Sequence, residues 1–319
     1  MISFAARLAG LAVTLVLASL VIFLAMNVLP GDPAAVLLGI NASPEALAAL
    51  RTELGLDRPL AVRFLAFIGG ALTGDLGVSA TYDVPVTTLI LERAAVSVPL
   101  AGLALALSVG LALPLGLLAV QRRGSWIDRA VSVFAQVGLS VPNAWLALML
   151  IFLFAIVWRI APAGGFPGWD AGFGAALTAL AMPAVALAAP QAAILTRIVR
   201  ASVAEAADED YVTLARAKGL SQARAVRRHA LANAWPPILT IIGLQFGFLV
   251  AGAIVIETVF SLPGLGRLLF QAVSQRDLPV VAGVVLVLVA TVVVVNALCD
   301  GLARLSDPRH RASDAVPLS

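Results

Sequence analysis

The chain has very few of the residues that usually carry enzyme chemistry. Its 319 residues include a single cysteine, a single lysine and two histidines, and only 12% are charged. One cysteine, Cys299, excludes an intrachain disulfide framework and any site built from several cysteines. The only lysine, Lys218, has no glycine-rich loop upstream to hold nucleotide phosphates, so we expect no ATP hydrolysis in this chain. The histidines, His229 and His310, lie in arginine-rich stretches, and we expect neither a catalytic nor a metal site.

Apolar residues are abundant instead. They make up 61% of the chain, and the mean hydropathy is +1.00. With this composition, a soluble globular protein would have too little polar surface. A helix needs about 20 apolar residues to cross about 30 Å of hydrocarbon, and several apolar runs are that long. The sequence predicts an all-α polytopic membrane protein with about six transmembrane helices. These lie at Leu8–Leu29, Val96–Val120, Val131–Trp158, Phe173–Ile198, Ile238–Phe260 and Val280–Cys299.

Arginine placement predicts the orientation. Basic residues stay preferentially on the cytoplasmic side of a membrane. The loops on one side of the predicted spans carry fourteen of the 21 basic residues, and the opposite loops carry seven. We therefore expect both termini, and the loop that contains Lys218, to be cytoplasmic. Because arginine serves here as a topology signal, the net charge of +3 does not indicate nucleic-acid binding.

The spans divide the chain into four parts. We predict a first transmembrane helix at 1–29, an extracytoplasmic helical segment at 30–95, a transmembrane core at 96–302 with a cytoplasmic loop at 199–235, and a cytoplasmic tail at 303–319. The outer segment is too charged for lipid and too apolar for disorder. Within it, Ser43, Pro44 and Glu45 have the N-cap, first-turn proline and acid that begin a helix.

Several prolines lie in or near the spans. Pro183 and Pro190 fall inside the fourth span, where they remove helical hydrogen bonds. Pro236 and Pro237 suit the first turn of a helix, where a missing N–H costs nothing. Kinked helices are common around a translocation path, but proline is also frequent in membrane helices generally. Both interpretations stay open.

A charged island, EAADEDYVTLARAKGLSQARAVRRHA at Glu205–Ala230, separates two apolar runs. Acids before YVTLARA, bases at its end and Gly219 just after it predict a short, self-capped helix. Ser221 then caps a second short helix, and the two form a rigid knob. We expect Tyr211 to be exposed and to favour a docking role, since aromatic side chains often anchor interfaces. The alternative is a solvated loop whose arginines only set the topology.

The stretch DYVTLARAKGLSQARAVRRHALANAWPPILTIIGLQFG resembles the cytoplasmic loop of permease subunits of ATP-binding-cassette (ABC) importers, in the branch for dipeptides, oligopeptides and nickel. Further matches run in order along nearly the whole chain: NVLPGDPA, ELGLDRPL, GDLGVS, GLSVPNAWLALML, VIETVFSLPGLGRLL and DPRHR. The literal Glu205-Ala206-Ala207 is out of register with the family pattern E-A-A-x-x-x-G, since Tyr211 stands where glycine belongs. The matching register is TLARAKG, which ends at Gly219. Of the I-x-L-P that usually follows, only Leu231 is present.

The resemblance implies a type I ABC importer permease fold in a bacterial cytoplasmic membrane. It implies a second permease subunit, a distinct paralogue, two ABC ATPase subunits that bind ATP and Mg, and an extracytoplasmic solute-binding protein. No cofactor is expected on this chain. A coupling helix would dock on an ATPase subunit, through Asp210, Tyr211, Thr213, Leu214, Ala215, Arg216, Lys218, Gly219 and Ser221.

A few polar and helix-breaking residues are candidates for contact with the solute. Asn143 and Gln245 are polar groups in apolar spans, and they either line the path or hydrogen-bond between helices. In ETVFSLPGLG, proline and glycines interrupt a helix, and we predict an outer gate there. The gate candidates are Glu257, Pro263, Gly264 and Gly266.

Two alternatives concern the transported solute and the driving force. We expect di- or oligopeptides to be imported, but similar permeases import nickel chelates, glutathione or other small solutes. An ion-coupled secondary transporter would need ionisable groups deep in the spans. The only carboxylates close to span interiors, Glu257 and Asp300, lie near span ends, which disfavours that class.

Overall fold

A computed structural model describes residues 4–28, 33–38, 43–53 and 55–306. The motif DPRHR and His310 lie outside the described residues, as does part of the motif NVLPGDPA. Regular structure in the described part is helical, apart from an isolated antiparallel bridge between Val78 and Pro85. Two compact units make up the chain, and each is described by itself. Unit 1 comprises 1–97 and 263–293, and unit 2 comprises 98–262 and 294–319.

Twelve helices lie in the described residues. In chain order they are α1 (Phe4–Val28), α2 (Pro33–Leu38), α3 (Pro44–Glu53), α4 (Leu60–Thr73), α5 (Val86–Gln121), α6 (Trp126–Ser140), α7 (Asn143–Val157), α8 (Phe173–Ala207), α9 (Asp210–Ala217), α10 (Gln222–Val259), α11 (Leu265–Gln275) and α12 (Leu278–Ser306).

Within the described residues, four of these helices, α5, α8, α10 and α12, are long and apolar enough to cross a membrane. The pair α6 and α7 makes a fifth if it counts as one bent span. The first predicted span corresponds to α1, which is 25 residues long and apolar from Ala9 to Ala25. Each apolar run in the sequence therefore coincides with helix, and α5 and α12 extend beyond both of their predicted ends.

The third predicted span, Val131–Trp158, is wrong as a single helix. It consists of α6 and α7, which meet at 99°. The break falls at Val141 and Pro142, where Val141 is extended, with φ −90° and ψ 117°. Proline clashes with a helical conformation at the residue before it, so α6 ends at Ser140 and Pro142 precedes a new helix.

The prediction that Pro236 and Pro237 lie in a first helical turn is also wrong. Both lie inside α10, which begins at Gln222 and includes a π-helical turn at Val226–Ala230. The upstream turns are stabilised by burial, because every fourth residue from Val226 to Ile242 faces the core of unit 2. That buried stripe is Val226, Ala230, Ala234, Ile238 and Ile242.

Glycines let the helices of unit 2 approach α8 closely. A Cβ atom on Gly138 of α6 would lie 2.5 Å from the Cβ atom of Ala193. On Gly116 of α5 it would lie 2.6 Å from Cγ1 of Val199. Small residues at such contacts are typical of helix packing in membranes, where close van der Waals contact stabilises association.

The outer segment in unit 1 is helical, as its sequence predicts. It contains α2, α3 and α4. Ser43 caps α3 as predicted, since the N–H of Ala46 donates to Ser43 Oγ at 3.2 Å. Phe64 of α4 packs against Phe23 of α1, with ring centroids 5.5 Å apart.

Candidate coupling site

The helix α9 has the capping pattern that the sequence predicts. Asp210 lies in its first turn and Arg216 in its last, so both charges complement the helix dipole. Gly219 follows with φ +95°. The N–H of Gly219 donates to the carbonyl of Arg216 at 2.9 Å, and the N–H of Leu220 to that of Ala215 at 3.3 Å. These two bonds form a Schellman motif, which ends the helix rigidly.

One face of α9 is buried and the other is exposed. Val212 and Ala215 are buried in unit 2. Leu214 is 56% exposed, and Arg216 and Lys218 are exposed beside it, as are Asp210, Thr213, Gly219 and Ser221. The result is a short helix that presents a leucine flanked by two cations. This combination of apolar and basic groups can dock on a protein surface.

The prediction that Tyr211 is an exposed anchor is wrong. Its side chain is half-buried, and the O–H donates to the carbonyl of Ala206 at 3.2 Å. The ring packs against the hydrophobic core of unit 2. Tyr211 therefore holds α9 against the end of α8.

The second short helix of the predicted knob is part of α10. Ser221 occupies the N-cap position but makes no side-chain cap; its carbonyl accepts the N–H groups of Arg224 and Ala225, at 3.0 and 2.9 Å. Two residues join α8 to α9, and four join α9 to α10. These short connections join α9 closely to two long apolar helices, α8 and α10.

One ion pair joins α6 to α8, and a second holds a residue between α8 and α9. Asp128 of α6 binds Arg200 of α8 through both oxygens, at 2.6 and 3.1 Å, and also accepts the N–H of Gly124. Asp208, just before α9, binds Arg123 through both oxygens, at 2.9 and 3.0 Å. Sequence reasoning assigned these arginines to topology alone. The sequence did contain a signal for a structural role of Asp128: it is a carboxylate in the first turn of a helix that Ser125 caps.

The path candidates of unit 2 are distributed over two helices. Asn143 begins α7 and is half-buried. Gln245 of α10 is buried, and its Nε2 donates to the backbone carbonyl of Gln191 in α8 at 3.3 Å. This is the interhelical hydrogen bond that the sequence left as an alternative. Among the described residues, neither Gln191 Oε1 nor Gln245 Oε1 has a hydrogen-bond partner.

Gln191 was missed by sequence reasoning, although it carries the same signal as Gln245. It is an amide side chain within an apolar run, next to Pro190. In the structure both side chains are buried with an unsatisfied oxygen, which is costly in an apolar interior. They are the polar groups that a path through unit 2 could use.

The predicted helix interruption in ETVFSLPGLG is present. The helix α10 ends at Val259, and Ser261 adopts φ +54° as the left-handed residue of a second Schellman motif. Gly264 is the N-cap of α11, and Gly266 lies in its first turn. Glu257 is fully buried within unit 2, whereas Pro263, Gly264 and Gly266 belong to unit 1.

The sequence profile of the binding-protein-dependent transport system inner membrane component matches residues 112–312. The profile of the N-terminal part of such membrane components matches residues 1–101. The chain belongs to this family. The predicted resemblance to ABC importer permeases is thereby confirmed, and a permease of this family functions with ATPase and binding-protein partners.

Curated relatives match this permease along almost its whole length. A protein of Brucella abortus (strain 2308), whose name places it in a peptide transport system as a permease, is 40% identical over 96% of this chain and 97% of its own. The dipeptide transport system permease protein DppB of Escherichia coli (strain K12) is 37% identical over 98% of this chain and 99% of its own.

Solved structures share the fold of the permease. A chain of the MetNI methionine ABC transporter in an inward-facing conformation superposes with a TM-score of 0.54 and 19% identity. The match covers 68% of this chain and 96% of that one. The predicted type I permease fold is confirmed.

Proposed function

We propose that this permease forms half of the translocation path of an ATP-driven importer of di- or oligopeptides. The observation that carries the proposal is the full-length similarity, at 37%, to a permease named for dipeptide transport. In this proposal the solute reaches the outer side on a binding protein. Two ATPase subunits bind ATP and Mg on the cytoplasmic side, and this chain contributes no catalytic group and binds no cofactor.

We further propose that α9 is the coupling helix. Its exposed Leu214, Arg216 and Lys218 dock on an ATPase subunit, and its buried face and short connections transmit closure of the ATPases to α8 and α10. The second half of the path comes from a distinct paralogous permease. In this arrangement both termini are cytoplasmic, in a bacterial inner membrane.

Copurification tests the proposal. The tagged chain is extracted from its native membrane in a mild detergent, and its partners are identified by mass spectrometry. We expect ATPase subunits in twofold ratio and a second permease. The proposal would be contradicted if the chain purified alone from membranes that contain ABC ATPase subunits and a second permease.

A matched pair of leucines makes the test specific for α9. Leu214 is 56% exposed on α9, and Leu72 is 84% exposed at the end of α4. We expect Leu214→Asp to reduce recovery of the ATPases at least tenfold and Leu72→Asp to leave it unchanged. Equal recovery with both variants would remove α9 from the ATPase interface.

A further inference from the structure

Unit 1 contains a polar pocket that no step of the proposed function uses. Its volume is about 260 Å³. The wall residues come from the loop before α5, from the first turns of α5 and from the start of α11. We call it the arginine pocket, lined by Tyr82, Arg93, Pro263, Gly264, Arg267, Leu268 and Gln271.

The walls of the arginine pocket are fixed by buried hydrogen bonds. The loop before α5 is held by Asp277, whose carboxylate accepts the O–H of Ser79 at 2.5 Å and the N–H of Thr81 at 3.1 Å. Asp277 is fully buried at the start of α12. The first turn of α11 is held by Ser97 of α5, whose Oγ accepts the N–H of Leu265 at 2.7 Å. A ligand would therefore meet a preorganised site.

The charge of the arginine pocket is positive. Arg93 and Arg267 both line it, and none of its lining residues is acidic. Arg93 Nε is buried and has no hydrogen-bond partner among the described residues. Asp277, which holds the loop before α5, does not line the pocket, and its carboxylate accepts hydrogen bonds from Ser79 and Thr81. An unpaired, buried guanidinium N–H is costly, and an anion would relieve that cost.

A carboxylate fits this site best. Guanidinium binds carboxylate through two parallel hydrogen bonds, and the Tyr82 hydroxyl and Gln271 amide supply further donors. Pockets for whole small molecules have about 300–1,000 Å³. The arginine pocket is smaller, so it accommodates a carboxylate and a few carbon atoms, as in one acidic side chain.

We propose that the arginine pocket binds an aspartate or glutamate side chain of the solute-binding protein and so fixes its docking. The inference rests on the proposed function, in which the segment before α5 and the helix α11 face outward, where the binding protein arrives. A carboxylate bound at Arg93 would orient the binding protein over the permease before its solute is released.

The test measures the dissociation constant between the binding protein and the assembled transporter. The complex is placed in nanodiscs of neutral phosphatidylcholine, which offer no anionic headgroup. Arg93→Gln removes the charge, and Gln271→Glu supplies an internal carboxylate while leaving Arg93 in place. Arg58→Gln, an exposed arginine of the outer segment that does not line the pocket, is the control.

We expect Arg93→Gln and Gln271→Glu each to raise the dissociation constant at least tenfold, and Arg58→Gln to change it less than twofold. Added salt should weaken wild-type docking more than docking of the Arg93→Gln variant. Wild-type affinity in both pocket variants would overturn the inference. An unchanged docking constant with a raised KM for solute would also overturn it, by assigning the carboxylate to the solute. If the binding protein fails to stimulate even the wild-type transporter, the proposed function itself fails.

Discussion

Gly219 ends α9, the proposed coupling helix, in a backbone conformation, φ +95°, that other residues rarely adopt. A Cβ atom there would meet nothing within 4 Å, so the glycine is required by the backbone and not by packing. Replacing it with valine strains the C-terminus of α9 by about 1–2 kcal/mol. We expect Gly219→Val to lower ATP-dependent uptake several-fold while the amount of inserted protein stays the same, as measured by membrane immunoblot and uptake assay.

Gly74 provides the matched control. It too ends a helix, α4, with a positive φ, +82°, and a Cβ atom on it would meet nothing within 4 Å. Gly74→Val carries the same backbone strain away from α9. If both variants lose uptake equally, the effect comes from general strain and not from the coupling helix.

Gly138, unlike Gly219, is required by close packing and not by its backbone conformation. Because a Cβ atom there would lie 2.5 Å from the Cβ of Ala193, alanine cannot fit unless α6 moves away from α8. We expect Gly138→Ala to destabilise the detergent-solubilised protein by about 1–3 kcal/mol, seen as a lower Tm. Gly110→Ala on α5, where a Cβ would meet nothing within 4 Å, should keep or raise the Tm. A Gly138→Ala protein with wild-type Tm would contradict the α6 and α8 packing.

At the scale of the element, the Asp128–Arg200 and Asp208–Arg123 ion pairs differ in burial. Asp128 is 6% exposed and the side chain of its partner Arg200 is 37% exposed, whereas both partners of the Asp208 and Arg123 pair are largely exposed. Removing the charge of Asp128 leaves a partly buried guanidinium unpaired, while an exposed pair contributes at most about 1 kcal/mol. We expect Asp128→Asn to lower the free energy of unfolding by about 1–3 kcal/mol and Asp208→Asn by less than about 1 kcal/mol.

Thermal unfolding of the two variants in one detergent checks this order. The Arg123→Gln variant, which breaks the exposed pair from its other side, should match Asp208→Asn. A larger loss of stability for Asp208→Asn than for Asp128→Asn would contradict the assignment of Asp128 and Arg200 as the main brace between α6 and α8.

Helices were predictable from the sequence where a long apolar run decides the structure. The runs that became α5, α8 and α12 needed no tertiary information, and neither did the caps at Ser43 and Gly219. The break at Pro142 was not predicted, because the residues on both sides are apolar and read as one span. A short helix after Ser221 was predicted, but its continuation into the long apolar part of α10 was not, because its first turns are polar and are stabilised by the buried stripe from Val226 onward.

The parts of the site that depend on distant residues were not predictable. The arginine pocket brings Arg93 together with Gln271, far apart in the chain, and the sequence shows only two separate polar residues. Tyr211 illustrates the same limit, since its exposure depends on the position of Ala206 at the end of α8. The alignment of TLARAKG with the family pattern, ending at Gly219, could be predicted from the sequence because it depends only on neighbouring residues.

At the scale of the whole molecule, the proposed orientation gives a labelling prediction. The chain has one cysteine, so Cys299→Ala provides a cysteine-free background. Leu72→Cys in the outer segment should react with a membrane-impermeant maleimide in intact spheroplasts. Lys218→Cys, exposed after the coupling helix, should react only after permeabilisation. The reverse pattern would invert the topology and exclude α9 from the cytoplasmic side.

The most direct test of the account is solute uptake by the purified complex in proteoliposomes, with its binding protein on the outer side. We expect dipeptide uptake that requires ATP on the ATPase side, that stops without the binding protein and that glutathione or nickel chelates do not compete away. Uptake that continues in ATP-free vesicles and follows an imposed ion gradient would contradict the central claim that this permease couples solute movement to ATP hydrolysis by its partners.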